Sequence, residues 1–196
     1  MDNRIETLKR WVSESKRIVF FGGAGVSTES GIKDFRSADG LYSEKWRPND
    51  SNSTESGIPD FRSVDGLYNQ KFEYPPETII SHSFYLREPS YFFRFCREKM
   101  MPLGFEPNIT HMKLAQWERD GKMLGVVTQN IDGLHQMAGS KEVLELHGSV
   151  HRCYCAKCHK PYHASYINES TGIPVCECGG IVRPDVVLYE EPLNEA

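Results

Sequence analysis

The tightest constraint on this chain is an apolar run, Ile18-Val19-Phe20-Phe21, that breaks without a spacer into Gly22-Gly23-Ala24-Gly25-Val26-Ser27-Thr28. A short apolar run bounded by glycines reads as a buried strand, and the small residues after it read as a tight turn into a helix start. Such a junction aims unpaired backbone N–H groups and a positive dipole end at one point, where the phosphates of a nucleotide can sit. Gly23-x-Gly25 alone is a weak signal, and Thr28 stands where the usual dinucleotide fingerprint has its third glycine, which disfavours an ordinary dehydrogenase.

The stretch after that strand is written twice. Ser53 to Phe72 matches Ser27 to Trp46 at 15 of 20 positions, with Lys33 where the second copy has Pro59. Each copy carries Asp-Phe-Arg, at Asp34-Phe35-Arg36 and Asp60-Phe61-Arg62, and one pocket can hold only one of them. The joining Pro48-Asn49-Asp50-Ser51-Asn52 is rich in turn formers, so the expectation is one working copy and one surface excursion.

Further along, Asp2 can cap a helix whose Ile5, Leu8, Trp11 and Val12 share one face. Pro75-Pro76-Glu77 and Glu88-Pro89 open two more helices, the second carrying Tyr91, Phe92, Phe93, Phe95 and Cys96 as core. Asn108 caps a helix through Trp117 that ends near Gly121, and Met123–Val127 and Val143–Leu146 read as further buried strands. Helices alternating with short apolar strands predict an α/β fold with a parallel sheet and helices on both faces. Ligands bind such sheets at the carboxyl ends of the strands, and the polar motifs fall there: Gly22–Ser27, Thr128-Gln129-Asn130-Ile131-Asp132 and His147-Gly148.

The net charge of −4 argues against a nucleic-acid surface. The amino terminus lacks the apolar core of a secretory leader, and no run approaches the roughly 20 apolar residues of a membrane span. The expectation is a cytoplasmic protein without a membrane partner, whose six cysteines are thiols or metal ligands. Cys155-Ala-Lys-Cys158 and Cys176-Glu-Cys178 are two short knuckles at tetrahedral zinc spacing. The second is Cys-x-Cys where Cys-x-x-Cys is usual, which leaves Cys153, His159 and His163 as substitutes for one ligand, and a redox pair or disulfide as other readings. A closed four-ligand zinc site would hold the module together without catalysing.

Taken in order, Gly-Ala-Gly-Val-Ser, Ser-Gly-Ile-(Lys/Pro)-Asp-Phe-Arg, Thr-Gln-Asn-Ile-Asp, Leu-His-Gly and the four-cysteine cluster resemble the sirtuins, NAD-dependent protein deacylases. The resemblance implies a Rossmann-like domain over 1–149 and 182–196, with the duplicated cofactor loop at 28–72 and a helical lid at 73–107, and a zinc module at 150–181. It implies that Ala24, Gly25 and Thr28 cradle the NAD phosphates, and that Phe35 and Arg36, or Phe61 and Arg62, close over the nicotinamide riboside. Gln129, Asn130, Ile131 and Asp132 would hold the nicotinamide, with the Asp132 carboxylate accepting from the carboxamide. His147 would be the general base as well as a cofactor contact.

In the implied reaction the acetyl-lysine carbonyl oxygen attacks ribose C1′ as nicotinamide leaves, and His147 then activates a ribose hydroxyl, leaving deacetylated lysine and O-acetyl-ADP-ribose. Val186, Val187, Leu188 and Tyr189 would line the acyl-lysine tunnel of a protein or peptide substrate and pair with it as an added strand. Cys96 and Lys99 stand where sirtuins that remove acidic acyl groups place a tyrosine and an arginine, so an uncharged acyl group is expected. The family's Gly-Thr-Ser strand, asparagine loop and final strand and helix have no counterpart up to Ala196, from which weak NAD binding and an exposed sheet edge are expected. Two other readings stand beside deacetylation: a non-catalytic zinc-containing fragment or peptide-binding remnant, and a protein mono-ADP-ribosyltransferase.

Overall fold

The computed structural model of the chain describes residues 3–34, 72–101 and 104–193. Helix α1 (Asn3–Glu14) leads into strand β1 (Ile18–Gly22), which passes through Gly23 into a 3-10 helix, Ala24–Ser30. Strands β2 (Met123–Thr128) and β3 (Val143–Glu145) complete a parallel sheet in the order β1-β2-β3. Gly22 lies opposite Thr128, and Thr128 opposite Glu145, so all three strands end at one level. That shared edge is where the polar motifs converge.

The helix that braces this sheet is well specified locally. In α5 (Ile109–Arg119) the Asn108 side chain accepts from the N–H groups of Thr110 and His111, while the Asn108 N–H donates back to His111 Nδ1, a reciprocal capping box. Its Leu114 and Ala115 are buried, and Leu114 packs with Met123, Val126, Ile18 and Phe20 on one face of the sheet. The other face is bare among the described residues: Val19, Phe21 and Leu144 are 56%, 61% and 63% exposed. Among the described residues strand β1 pairs only with β2, and the apolar stripe Ile5, Leu8 and Trp11 of α1 is exposed as well.

The larger core is drawn from segments between Ile79 and Leu188. Helices α2 (Pro76–Ile79), α3 (His82–Arg87) and α4 (Pro89–Phe95) bury Phe84, Tyr85, Phe92, Phe93 and Phe95, whose rings meet largely edge-on. The long helix read from Glu88-Pro89 is α4 followed by a π turn, Cys96–Met100, closed by Met101 N–H donating to the Cys96 carbonyl at 2.8 Å. The turn keeps Cys96 and Met101 inside, while Arg97 reaches the carbonyls of Ile167 and Gly172 and the Ser170 hydroxyl. Cys96 is sealed in the aromatic core, and burial pushes its thiol up.

Strands β4 (Gly148–Cys155), β5 (Pro161–His163) and β6 (Val182–Val186) form a separate antiparallel sheet in the order β5-β4-β6. Short helices α6 (Leu134–Met137) and α7 (Ser165–Glu169) fill the connections after β2 and β5. Strand β6 returns from the second cysteine knuckle along β4, with Val182 opposite Cys155 and Val186 opposite Gly148. Main-chain pairing with β4 holds it there, and periodicity along the chain carries no record of which partner a strand chooses.

Candidate active site and metal centre

At the common end of the parallel sheet, backbone bonds lock the turns together. Gln129 N–H donates to the Gly22 carbonyl, Leu146 N–H to Thr128, and Val150 N–H to Ile131, at 2.9–3.0 Å. Asn130 N–H is taken by the Thr128 hydroxyl, and His151 Nε2–H donates to the Asp132 carbonyl at 2.7 Å. The segment Gln129–Asp132 is thereby held from β1 and β4 at once.

The side chains there form a buried relay centred on Ser27. Because the Asn108 N–H occupies His111 Nδ1, the His111 proton sits on Nε2, which points at Ser27 Oγ over a long 3.5 Å. Asn130 Nδ2 also donates to Ser27 Oγ, at 3.0 Å, and the Ser27 hydroxyl donates to Asp132 Oδ2 at 2.6 Å. The other Asp132 oxygen accepts from Leu134 N–H at 3.0 Å. Both carboxylate oxygens are fixed, and each retains a lone pair for a ligand. His135 packs against His111, ring centroids 4.7 Å apart, and neither of its ring nitrogens has a partner among the described residues. Burial, helped by the neighbouring His111 and opposed by Asp132, pushes His135 down to about 4, and burial likewise lowers His111. Burial thus favours the neutral form of both rings.

His147 stands on the same rim. Its Nδ1 lies 3.0 Å from the Gln129 carbonyl, which can only accept, so Nδ1 carries the proton and Nε2 keeps a basic lone pair. On the β1 side, Gly25 and Thr28 are exposed, and a Cβ on Gly25 would meet none of the described residues within 4 Å. Thr28 Oγ1 is turned inward to the Gly25 carbonyl. The structure thus gathers Ala24, Gly25, Gln129, Asn130, Ile131, Asp132 and His147 at one edge of the parallel sheet. Phe35, Arg36, Phe61 and Arg62 lie outside the described residues. Ser27, His111 and His135 were missed as site residues. Ser27 stood inside the quoted glycine motif, but 84 residues separate it from His111, and Asn108 to His111 reads locally as a helix cap and nothing more.

The stretch after β6 is clamped. Val186 and Leu188 are buried, while the Tyr189 side chain is exposed. The N–H groups of Val187, Leu188 and Tyr189 donate to the His147 carbonyl, the Glu191 carboxylate and the Ile80 carbonyl. Arg183, itself buried, binds Glu191 in bidentate fashion at 2.6 and 2.9 Å, and Glu191 also meets His82 Nδ1 at 2.7 Å. Glu190 adopts a left-handed φ of 75° and uses its carboxylate to accept from the Ser83 N–H and hydroxyl at the start of α3.

The four cysteines Cys155, Cys158, Cys176 and Cys178 place their sulfurs within 4.8 Å of one another. Cys155 Sγ to Cys178 Sγ is 3.5 Å and Cys158 Sγ to Cys176 Sγ is 3.7 Å. A tetrahedron with metal–sulfur bonds of about 2.3 Å has edges of about 3.8 Å, so the donor set fits zinc. The Cys178 N–H and the Tyr162 hydroxyl lower the pKa of the Cys176 thiol, favouring the thiolate that a metal needs. The proposed substitutes stand apart from the cluster: Cys153 is buried with its thiol pushed up to about 11, His159 stacks on Tyr154, and His163 meets Ser165. The Cys-x-Cys knuckle thus brings both its sulfurs into the cluster.

A parallel sheet with a nucleotide-type rim, joined to an antiparallel unit with a four-cysteine cluster, defines an α/β nucleotide-dependent enzyme class with a structural metal module. The chain belongs to the Sir2 family, whose sequence profile matches residues 23–52 and again 50–196, breaking and resuming in the linker between the two copies of the loop. It is 50% identical over 196 residues to a protein of Clostridium perfringens named NAD-dependent protein deacetylase, covering 100% of this chain and 70% of that one. A Staphylococcus aureus protein of the same name is 42% identical over the whole chain, again covering 70% of the relative. Among solved structures, Sir2Tm bound to a propionylated peptide superimposes with a TM-score of 0.73 at 33% identity, over 97% of this chain and 66% of that one. A Sir2–p53 peptide–NAD+ complex does so with a TM-score of 0.72 at 34% identity, also over 97% and 66%. The chain therefore spans about 70% of those curated relatives and 66% of those solved chains. No helix among the described residues is long and apolar enough to cross a membrane.

Proposed function

We propose that this chain carries out NAD-dependent protein-lysine deacetylation, with His147 as general base and Asp132, positioned by Ser27, as the nicotinamide anchor. The observation that carries the reading is the His147 tautomer: a proton held on Nδ1 by the Gln129 carbonyl leaves a basic Nε2 on the rim that Asp132 shares. The relatives' name and the acetylated and propionylated peptides named with the solved structures support the same chemistry.

Bound NAD supplies an electrophilic ribose carbon with nicotinamide as its leaving group, together with hydroxyls that accept the acyl group. Ala24, Gly25 and Thr28 hold its phosphates, and Phe35 with Arg36, or Phe61 with Arg62, cover the riboside. Gln129, Asn130 and Ile131 wall the nicotinamide. The free lone pairs of Asp132 accept from its carboxamide N–H₂ and orient the ring for departure. His147 Nε2 takes the proton of a ribose hydroxyl, a role worth roughly 10² to 10⁴ in rate. The segment Val186 to Tyr189 seats the substrate lysine, with the exposed Tyr189 ring facing the peptide. The four cysteines hold zinc, which keeps the module folded and takes no part in the chemistry. Residues 1–149 with 182–196, bearing the 73–107 lid, serve as the NAD-binding unit, and 150–181 as the zinc module.

Mass spectrometry of an acetyl-lysine peptide incubated with NAD and the purified chain tests the reading. Deacetylated peptide and O-acetyl-ADP-ribose are the expected products, and His147→Ala should lower their formation by roughly 10² to 10⁴. An ADP-ribose adduct on protein with the acetyl group intact would instead indicate mono-ADP-ribosyl transfer, and no product at all would defeat both.

A further inference from the structure

The two knuckles of the cysteine cluster are built unequally. In the longer one, Cys155-Ala-Lys-Cys158, the turn supplies two backbone donors to the first sulfur: the N–H groups of Lys157 and Cys158 approach Cys155 Sγ at 3.4 and 3.5 Å. The shorter one, Cys176-Glu-Cys178, has one residue fewer between its sulfurs, and the Gly179 N–H three residues on is spent on the Cys176 carbonyl at 2.8 Å. Cys176 Sγ thus lacks the second backbone donor that Cys155 Sγ enjoys. A side chain stands in that place: the Tyr162 hydroxyl, reaching across from β5, donates to Cys176 Sγ at 3.1 Å.

Tyr162 is aimed by its surroundings. Its ring packs on Tyr166 with centroids 4.5 Å apart, and the Tyr166 hydroxyl is tied to the Val175 carbonyl, next to Cys176, at 2.7 Å. The backbone of β5 is registered on β4 with Tyr162 opposite Cys153.

We infer that the Tyr162 hydroxyl sets how firmly the four-cysteine cluster retains its metal, by donating to the Cys176 thiolate where the short knuckle cannot; the inference rests on reading that cluster as a metal site. Four thiolates around a divalent cation carry excess negative charge. A hydrogen bond to sulfur withdraws part of it, which makes that ligand slower to be protonated or captured by an oxidant and so slower to leave. Outer hydrogen bonds of this kind change metal affinity by about 10- to 100-fold in other proteins.

The test uses the whole chain loaded with zinc and then with cobalt. Tyr162→Phe keeps the ring and its packing and removes only the hydroxyl. It should release zinc to a competing chelator about tenfold faster, and in the cobalt form move the sulfur-to-metal charge-transfer band to lower energy. Tyr166→Phe keeps the ring on which Tyr162 packs and leaves the hydroxyl to sulfur, so it should change both far less than Tyr162→Phe does. Wild-type protein that takes up no metal would defeat the metal reading and this inference with it. Normal uptake with unchanged release and an unchanged band in Tyr162→Phe would overturn the role of Tyr162 alone. Should Tyr162→Phe fail to fold, the unaltered protein loaded with cadmium-113 decides: a slowly exchanging Tyr162 hydroxyl proton correlated with the metal supports the bond, and its absence refutes it.

Discussion

Two glycines carry more of this architecture than their size suggests. Gly148, directly after His147, has a φ of 78°, and a Cβ there would lie 1.9 Å from the Asp185 carbonyl oxygen. Only a residue without a side chain lets β4 start this close to β6, and the same contact brings Val187 N–H to the His147 carbonyl at 3.0 Å. Gly148→Ala should therefore cost more than the roughly 1 to 3 kcal/mol of an ordinary strained backbone position, seen as a lowered thermal midpoint. It should also impair His147 although that residue is untouched; a midpoint equal to wild type would contradict this. Gly180 plays the same part at the cluster, since its Cβ would lie 2.6 Å from Cys155 Sγ and 2.5 Å from Lys157 Cβ. Gly180→Ala should lose bound zinc in metal analysis while circular dichroism shows the helices retained.

Among the elements, the segment after β6 is held by charge as well as by main-chain bonds, with Tyr189 bridging to Ser81 beside α3. Arg183 is buried under the rings of Tyr85 and Tyr154, at 5.2 and 6.0 Å, and its charge is answered by Glu191, which also caps Leu188 N–H and meets His82. Removing one member of such a pair leaves a buried charge without a partner. Glu191→Gln should destabilise the protein by about 3 kcal/mol, measured by denaturant titration. It should also loosen Val186 to Tyr189, so that binding of an acetyl peptide weakens more than binding of NAD. Equal weakening of both would argue against a local role.

For the molecule as a whole, these buried groups set the response to acid. Burial and His111 hold His135 near 4 instead of its ordinary 6.5, so the unfolded chain takes up that proton first as pH falls. Stability present above pH 6.5 is then lost down to about pH 4, at about 1.4 kcal/mol per unit for one such group. Burial alone would raise the Glu191 carboxyl, but Arg183, Leu188 N–H and His82 bring it down to about 2 from 4.5, extending the loss through that lower window. Unfolding free energies measured from pH 7 to pH 4 should fall steeply in wild type and more shallowly in His135→Phe. The duplicated loop belongs to this scale too. Thr54-Glu55-Ser56-Gly57-Ile58 repeats Thr28-Glu29-Ser30-Gly31-Ile32 exactly in order, so deleting residues 28–53 rebuilds the same motif directly after Ser27. Closing out an insertion of this kind changes loop entropy little. The deletion should leave the thermal midpoint similar or higher and NAD binding equal or stronger by calorimetry; loss of folding would mean that the segment is an integral element.

By itself the sequence determined what is encoded locally. The apolar runs marked β1, β2 and β3, Asn108 and Gly121 marked the ends of α5, and two cysteine pairs marked the cluster, because strand burial, helix caps and knuckle turns depend on residues within a few positions of one another. His147 and Asp132 were legible as candidate site residues because ordered motifs point to the carboxyl ends of the strands. What only the tertiary structure decided are contacts between distant segments. These are the pairing of β6 with β4, the Ser27 relay to His111 and Asp132, the unpartnered His135 behind it, the Arg183–Glu191 strut and the Tyr162 hydroxyl on Cys176. Each joins groups brought together by the packing of separate elements, and local chain chemistry constrains neither their distance nor their direction.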